Sequence, residues 1–336
     1  MRFFPFFSPH FDWIQVEPTT YCNAACIYCP RTAYKNSWID RHLPLEFFMK
    51  LKPLLSKASH LHLQGWGEPF LHPDFFKMAS LAKKAGLQIS TTTNGMLLDQ
   101  ERSIRLIETG IDIVAFSLAG ADAQSNDAIR RGTQFSKVIK AIETLGKEKI
   151  KRARKEPAIH IAYLVLRSGL KELGKIPRLF GEMGVSQVVL STLDFVASEE
   201  LVSQTIRPSS LSEYQETESY FKSIVGEGEK RSLSIHYYLP PFGREGLFCK
   251  ENVQKAFCLA ADGAVTPCVY TNLPVSGEFH YLPDGKRPYT RLSFGNIQEK
   301  SPLAIWAMGT YKDFRHSFSG KGHPTACTNC PKLSRA

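Results

Sequence analysis

Three cysteines within eight residues are the densest chemical feature of this chain. Cys22, Cys26 and Cys29 lie near the N-terminus in the run Cys-Asn-Ala-Ala-Cys-Ile-Tyr-Cys. Cysteines this close in sequence rarely reach the span and orientation that an unstrained disulfide requires. Thiolates are the usual ligands of iron–sulfur clusters, normally four to a cluster. Three thiolates on one loop therefore indicate a cluster with one iron open for chemistry.

The Cys-x3-Cys-x2-Cys spacing, with Tyr28 directly before the last cysteine, resembles the signature of the radical S-adenosylmethionine (SAM) enzymes. The resemblance implies that the open iron binds the amino and carboxylate groups of SAM. It also implies reductive cleavage of SAM to a 5′-deoxyadenosyl radical that abstracts hydrogen from a substrate, while the protein positions and shields the reaction. The structural alternative is a zinc site completed by a distant His or Cys.

A second motif of the family has a counterpart at residues 65–69. Gly-Trp-Gly-Glu-Pro resembles the family's Gly-Gly-Glu-Pro motif, with Gly67, Glu68 and Pro69 at matching positions and Trp66 as a departure. A carboxylate there can accept the SAM amino group. A plain strand-to-loop turn is the alternative, because short glycine motifs are common.

The resemblance implies further SAM contacts at the ends of later strands. Hydroxyl and amide groups would bond the ribose, an arginine would pair with the SAM carboxylate, and apolar residues would flank the adenine. Such residues are also ordinary turn formers and core residues. In that order the candidates are Thr93, Asn94 and Ser117, then Arg130 or Arg131, then Val165 and Leu190.

An alternation of β-rich and helical runs must position these residues. It extends from Trp13 to Leu193 and predicts βα units around a parallel sheet. We expect six strands, and the resemblance implies an α/β fold with a partial (β/α)6 barrel. Sites of such sheets lie at the C-terminal strand ends, where the cysteine loop follows the first strand. The predicted strands cover residues 13–18, 60–65, 87–93, 111–118, 158–166 and 185–190.

The rest of the chain suggests a second, smaller domain. Residues 194–248 lack the alternation and are interpreted as a connecting segment, whereas five cysteines lie between Cys249 and Cys330. The predicted domains are therefore the barrel at 1–193, the connecting segment at 194–248 and a cysteine-rich domain at 249–336. A chain of 336 residues is long enough for one large and one small domain.

Asp262-Gly263 between two β-rich runs predicts a hairpin. If the turn has two residues, Cys258 faces Pro267 and Phe257 faces Cys268, so alternation sends Cys258 and Cys268 to opposite faces of the ribbon. We therefore expect the two cysteines not to share a cluster.

Four cysteines then remain as one thiolate set: Cys249, Cys268, Cys327 and Cys330. The arrangement resembles the Twitch or SPASM auxiliary-cluster domains of the radical SAM family, in the one-cluster form. Four protein ligands would close this second [4Fe-4S] cluster, which implies an electron relay. Cys258 is an alternative ligand in place of Cys249, and four-cysteine zinc is the structural alternative.

Composition narrows the class of protein. With 43% hydrophobic and 22% charged residues, the chain has an ordinary globular composition. It has no secretory signal and no apolar run of membrane-spanning length, so we expect reduced thiols and a cytoplasmic location. The net charge of +10 could indicate nucleic-acid binding, but the densest basic run, residues 147–155, lacks aromatic residues and ends a helical pattern. It is interpreted as a solvated helix end.

The sequence leaves the substrate open. Only 21 residues precede Cys22, so we expect no N-terminal peptide-recognition or cobalamin domain, which favours a small molecule or cofactor precursor over a peptide or protein side chain. The resemblance also implies a flavodoxin- or ferredoxin-type electron donor. A hypothesis from another class is a non-catalytic zinc or iron–sulfur protein that binds RNA. No catalytic residue is predicted beyond the cluster and the SAM site.

Overall fold

A nine-stranded, largely parallel sheet organises the chain in the computed structural model, which describes residues 9–239, 242, 247–319, 324, 327, 330 and 333–335. Its strand order is β10-β9-β1-β2-β3-β4-β5-β6-β7, where the strands are β1 Phe11–Val16, β2 Ala58–Leu63, β3 Gln88–Thr93, β4 Ile113–Leu118, β5 Ala158–Val165, β6 Gln187–Thr192, β7 Ser234–Tyr237, β9 Ala256–Leu259 and β10 Val265–Thr266. Two small antiparallel pairs lie outside this sheet: β8 Leu247–Cys249 with β13 Leu333–Arg335, and β11 Phe279–Leu282 with β12 Gly285–Pro288.

The helices connect and cover these strands. In chain order they are α1 Pro30–Ala33, α2 Leu45–Met49, α3 Lys52–Leu55, α4 Phe75–Lys84, α5 Gln100–Thr109, α6 Ala123–Ile129, α7 Phe135–Lys151, α8 Ile176–Phe180, α9 Leu211–Glu229, α10 Pro302–Trp306 and α11 Gly309–His316. Short 3₁₀ segments occupy Pro69–Leu71, Arg167–Lys175, Glu199–Gln204, Val269–Thr271 and Ser317–Ser319. Among the described helices, none is both long and apolar enough to cross a membrane.

The six predicted strands are all present, with ends shifted by a few residues. Prolines divide two of the helical regions. Residues 45–55 form the two short helices α2 and α3 rather than one helix, because Pro53 stands in the first turn of α3 and cannot donate a hydrogen bond to the preceding turn. Residues 167–180 form a 3₁₀ helix followed by α8, which has Pro177 in its first turn. Helix α7 runs to Lys151, so the basic run 147–155 does span a helix end.

The predicted connecting segment contains more structure than expected. It holds α9 and β7, and β7 pairs in parallel with β6 through Val188 and Ile235. The βα alternation therefore continues beyond Leu193. Helix α9 buries only Phe221, Ile224 and Gly228, so it lacks the broad apolar stripe that reveals a helix in sequence. The domain boundaries themselves stay a prediction.

The two faces of the sheet differ in polarity. The face that packs against the helices carries fully buried side chains such as Ile14, Leu61 and Val114. The opposite face carries polar groups, including His62, whose ring is hydrogen-bonded to the Ser90 hydroxyl at 2.6 Å. The second domain joins the same sheet, since β9 pairs with β1 in the register Gln15 to Cys258. Residues of both predicted domains therefore meet at the C-terminal ends of the strands.

Candidate functional site

The cysteine loop lies directly after β1 and is fixed by backbone hydrogen bonds. The Ala25 N–H donates to the Arg131 carbonyl at 2.7 Å, and the Ile27 N–H donates to the Ile129 carbonyl at 3.0 Å. Cys29 caps helix α1 at its N-terminus, where Pro30 starts the first turn. The loop is therefore held against the segment that follows α6, which brings the arginine pair close to the thiols.

The three thiols open into one cavity of about 280 Å³ at the C-terminal ends of the strands. Most of the predicted SAM contacts line it as well: Tyr28, Gly67, Glu68, Thr93, Asn94, Ser117 and Arg130. The structure thus brings together residues from five separate segments of the sequence.

Glu68 is the buried carboxylate of the cavity. Its oxygens accept three hydrogen bonds: from the Thr93 hydroxyl and the Asn94 backbone N–H, both at 2.7 Å, and from the Phe70 backbone N–H at 3.3 Å. The residue is only 2% exposed, and this burial raises the pKa of the carboxyl above its ordinary value. A carboxylate has about four acceptor positions. Glu68 therefore retains capacity for an ammonium group in the cavity.

Gly67 must be a glycine for steric reasons. A Cβ at this position would lie 2.4 Å from the carbonyl oxygens of both Thr19 and Tyr21. The neighbouring Glu68 N–H donates to the same Tyr21 carbonyl at 2.8 Å. The motif after β2 therefore packs directly on the backbone that leads into the cysteine loop.

Arg130 is the buried cation of the cavity. It is 5% exposed and donates from its guanidinium to the Tyr28 hydroxyl. Its Nε has no hydrogen-bond partner among the described residues. A buried charge is costly unless it is paired. Arg130 is therefore suited to an anionic group of a bound molecule, such as the SAM carboxylate.

Four predicted contacts do not line the cavity. Arg131 is exposed, and only its backbone carbonyl bonds to the cysteine loop. Pro69 is buried and does not line the cavity. Val165 and Leu190 are each 1% exposed in the core, while their neighbours Leu164 and Ser191 line the cavity instead. Both faces of a parallel sheet can be apolar, so hydropathy alone did not tell which alternate residues face the site.

Several cavity residues were missed by sequence reasoning. Trp66 was seen only as a departure from a motif, yet it lines the cavity. Asp194 and Phe195 follow β6 at the position where the alternation was thought to end. Tyr270 comes from the cysteine-rich domain and has no motif of its own. Only the parallel-sheet rule, which places sites at strand ends, could have indicated Asp194.

The donor set fits an iron–sulfur cluster that binds SAM. Burial raises the pKa of the Cys29 thiol to about 12, so cluster binding must displace protons from the loop. Within the described residues, no group of three or more His, Cys, Asp or Glu side chains is gathered around a single ion position. A cluster requires a different arrangement, since each thiolate binds a different iron. Beside the thiols, Glu68 and Arg130 match the amino and carboxylate groups of SAM in charge.

A second cavity, of about 410 Å³, is lined by the other cysteine set. Cys249, Cys268, Cys327 and Cys330 all line it, whereas Cys258 does not. Burial raises the pKa of the Cys268 thiol well above its ordinary value, and the neighbouring Cys330 and Cys258 thiols add to the shift. The predicted four cysteines therefore share one cavity, with Cys258 close behind it.

The hairpin prediction was wrong in register. The observed pairs are Val265 with Leu259 and Thr266 with Cys258, because the turn holds one residue more than the two-residue type. A one-residue slip sends every side chain to the other face. Alternation now carries Cys268 to the same side of the ribbon as Cys258. The geometric reason for excluding Cys258 from the second cluster is thus removed, and Cys258 remains the alternative ligand.

Single substitutions of Cys249 and Cys258 separate the two ligand assignments. Because Cys249 lines the second cavity, we expect Cys249→Ala to lower the iron content of reconstituted protein from about eight to about four per chain. The matched variant Cys258→Ala should retain about eight. Iron and acid-labile sulfide assays measure both. Unchanged iron in the Cys249 variant, with loss in the Cys258 variant, would reverse the assignment.

Glu17 links the two predicted domains beneath the cavity. One of its carboxylate oxygens accepts from the Trp66 N–H at 2.9 Å, and the other accepts from the Ala261 N–H and the Asn272 amide, both at 3.2 Å. Gly65 packs so closely on Glu17 that a Cβ would lie 2.2 Å from its Cγ. Burial raises the pKa of this carboxyl to about 7.

The raised pKa of Glu17 predicts a pH-dependent stability. The folded protein keeps this proton up to about pH 7, whereas the unfolded chain loses it near 4.5. The free energy of unfolding should therefore fall between these two pH values, by about 1 kcal/mol per pH unit. Glu17→Gln should flatten this part of the profile, and Glu143→Gln on the exposed surface of α7 should not. Thermal unfolding at pH 5 and pH 8 measures the change in stability of the parent protein and of both variants. An equal change in all three proteins would contradict the expectation.

Comparison with known proteins agrees with this geometry. Residues 16–168 match the model of the radical SAM superfamily, and residues 249–331 match that of the SPASM iron–sulfur cluster-binding domain. The two matches contain the two cysteine sets. They describe enzymes with iron–sulfur clusters, which does not support the non-catalytic RNA-binding hypothesis.

The chain is also similar to individual relatives and to solved structures. The chain is 27% identical over 325 residues to the tungsten-containing aldehyde ferredoxin oxidoreductase cofactor-modifying protein of Pyrococcus furiosus, covering 95% of this chain and 86% of that protein. It is 26% identical over 175 residues to the mycofactocin maturase MftC of Mycobacterium tuberculosis, covering 51% of this chain and 42% of that protein.

Streptococcus suis SuiB bound to SAM superposes with a TM-score of 0.67 at 14% identity, covering 97% of this chain and 72% of that one. Native anSMEcpe with bound AdoMet gives a TM-score of 0.66 at 19% identity, covering 96% and 89%. These two structures share the fold.

Proposed function

The chain belongs to the radical SAM superfamily and carries a SPASM iron–sulfur domain, and from this premise we propose that it oxidises or rearranges a small molecule or cofactor precursor. When bound, the cluster and SAM supply a 5′-deoxyadenosyl radical that abstracts hydrogen from the substrate. The observation that carries the proposal is the meeting of Cys22, Cys26 and Cys29 with Glu68 and Arg130 in one cavity.

The residues of the cavity are assigned to different groups of SAM according to their charge and shape. We assign the three thiols to the cluster, Glu68 with the Gly67 backbone to the SAM amino group, and the Arg130 guanidinium to the carboxylate. Thr93, Asn94 and Ser117 line the same cavity and offer hydroxyl and amide groups to the ribose. Leu164 and Ser191 line the cavity, so we assign them, in place of Val165 and Leu190, to the positions that would flank the adenine.

The second part of the proposal concerns the SPASM cysteines, which we assign to an auxiliary cluster. Cys249, Cys268, Cys327 and Cys330 would hold the auxiliary cluster with four protein ligands, leaving no iron open for substrate. This closed set supports a role as an electron relay, served by a flavodoxin- or ferredoxin-type donor. The domain division at residues 1–193, 194–248 and 249–336 is retained, with β7 as an addition of the middle segment to the barrel sheet.

One comparison favours a small-molecule substrate over a peptide. The relative that matches 95% of this chain, and is itself covered to 86%, is named for modifying a cofactor. Modification of a peptide or protein side chain is the second candidate function, because a solved structure of SuiB, which shares the fold, contains its precursor peptide SuiA.

Deuterium transfer tests the substrate class. Extract from cells grown in deuterated medium would be separated by size, and each fraction incubated with reduced enzyme and unlabelled SAM. Because hydrogen abstraction moves a substrate deuterium to the nucleoside, we expect deuterated 5′-deoxyadenosine with the low-mass fraction. Mass spectrometry reads the label. Deuterium transfer only from the peptide and protein fraction would favour the second candidate.

A further inference from the structure

The cysteine loop has an outer side as well as a side that faces the SAM cavity. Ala24 and the three thiols line the cavity, whereas Asn23 and Ala25 do not line it and are exposed. Ala25 is covalently joined to Cys26, one of the assigned cluster ligands. The cluster site is therefore one residue away from the outer surface of the protein.

The segment after α6 continues this outer surface. The Ala25 N–H donates to the Arg131 carbonyl at 2.7 Å. Gly132 packs so closely on the loop that a Cβ would lie 3.2 Å from the Ala24 Cα and from the Asn23 carbonyl oxygen. Ala25 and Gly132 are both exposed, and their side chains have at most a methyl group. A partner protein can therefore approach the backbone of the cluster loop closely at these two residues.

Exposed cations adjoin the two small residues. Lys137 and Lys140 lie one turn apart near the start of α7, and both are exposed, as is Arg131. None of the three forms a salt bridge with another residue that the structure describes. Two carboxylates are near them in the chain: Asp127 accepts hydrogen bonds from two N–H groups, and Glu143 is exposed one turn beyond Lys140. Cations therefore outnumber carboxylates at this surface, in a chain with a net charge of +10.

Apolar side chains lie among these charges. Phe135 and Ile139 are half-buried on α7 and line a shallow depression of about 470 Å³, whose wall also contains Lys140, Glu143 and Lys147. An apolar centre with a polar rim is typical of surfaces that bind a partner protein. We call this region the loop surface, and it consists of Ala25, Gly132, Phe135, Lys137, Ile139 and Lys140.

Reductive cleavage of SAM requires one electron from outside the protein in each turnover. A carrier of that electron must come close to a cluster, and opposite charges steer such encounters. From the access and the charge of the loop surface we propose that an acidic one-electron carrier protein docks there and reduces the cluster of the cysteine loop directly. The carrier loses one electron and the cluster gains it, with no bond formed or broken. The inference rests on the proposed function and adds the entry point of its electron.

Flavodoxin, kept reduced by NADPH and its reductase, serves as the probe. Combining Lys137→Glu with Lys140→Glu should raise the KM for flavodoxin in SAM cleavage about tenfold, because reversed charges repel an acidic partner. The increase should shrink at about 0.5 M salt, where surface charges are screened. With dithionite, a small reductant that needs no docking site, the same variant should cleave SAM at the parental rate. Quantification of 5′-deoxyadenosine measures each rate.

Two matched variants keep the test specific. Lys137→Arg combined with Lys140→Arg retains the charge and should retain the parental KM. Lys151→Glu combined with Lys155→Glu makes the same change of charge at exposed positions at the other end of α7, where Lys151 is about 21 Å from Lys137 along the helix. This distant pair should change the KM by less than about twofold, because separated surface charges are screened.

Several outcomes would overturn the proposal. These are no SAM cleavage with flavodoxin, an unchanged KM in the loop-surface variant, or an equal rise in the distant pair. A rise only for Lys286→Glu, on the β11–β12 hairpin beside the cavity of the SPASM cysteines, would place the entry at the auxiliary cluster instead. Calorimetric titration with oxidised flavodoxin measures docking without SAM cleavage and should show the same tenfold weakening, about 1.4 kcal/mol. Failure of dithionite to drive SAM cleavage in a parental enzyme that still docks flavodoxin at the loop surface would refute the proposed function and not the docking.

Discussion

Replacing Cys26 with Ala should reduce 5′-deoxyadenosine formation to the level of the enzyme-free reaction. Cys26 is buried in the wall of the SAM cavity, and an iron–sulfur cluster left with two protein thiolates from this loop would lose the arrangement that leaves a single iron open. Iron should fall from about eight to about four per chain, because the SPASM set is untouched. Chromatography of reduced reaction mixtures and an iron assay measure the two effects.

The matched control for this variant is another cysteine. Cys258→Ala also removes a buried thiol, but from a strand outside the SAM cavity. It should retain the spectroscopic signal of the SAM cluster. If the Cys26 variant still cleaved SAM at the parental rate, the loop would not be the cluster site.

The second large effect is expected at Arg130. Arg130→Met should weaken SAM binding at least about 30-fold, because an interaction with a buried charge is lost and the SAM carboxylate is left without its partner. The adjacent Arg131 is exposed and contributes only its carbonyl to the cysteine loop. Arg131→Met is therefore a control of the same chemistry one residue away. Titration of SAM, followed by the change in the cluster spectrum, gives both affinities.

A conservative variant separates positioning from charge. Arg130→Lys keeps the charge but cannot form the planar fork, so it should recover part of the affinity and not all of it. Equal loss in the Arg130 and Arg131 variants would contradict the assignment of the buried arginine to the SAM carboxylate.

The cysteine loop, its strand and the motif after β2 were predictable from sequence because their ligands are neighbours along the chain. A cluster that takes three ligands from one loop fixes their spacing, and Gly67, Glu68 and Pro69 are contiguous in the sequence. The six strands β1 to β6 followed from the βα alternation, since parallel strands need long crossovers. These features depend on local sequence.

Features that depend on distant contacts were missed. Tyr270 reaches the SAM cavity only because β9 pairs with β1 and brings the second domain to the sheet. The orientation of β5 and β6 was reversed at Val165 and Leu190 because both faces of these strands carry apolar residues. The faces of Cys258 and Cys268 were wrong because one additional turn residue shifted the register. In each case, packing between remote segments decided which side chain faces the site.

The central claim is that this cavity binds and reductively cleaves SAM. The direct measurement is anaerobic reconstitution of the full chain, reduction with dithionite and quantification of 5′-deoxyadenosine and methionine from added SAM. We expect both products in equal amounts, and neither from the Cys26→Ala variant. A reconstituted enzyme with about eight irons per chain that forms no 5′-deoxyadenosine would contradict the claim.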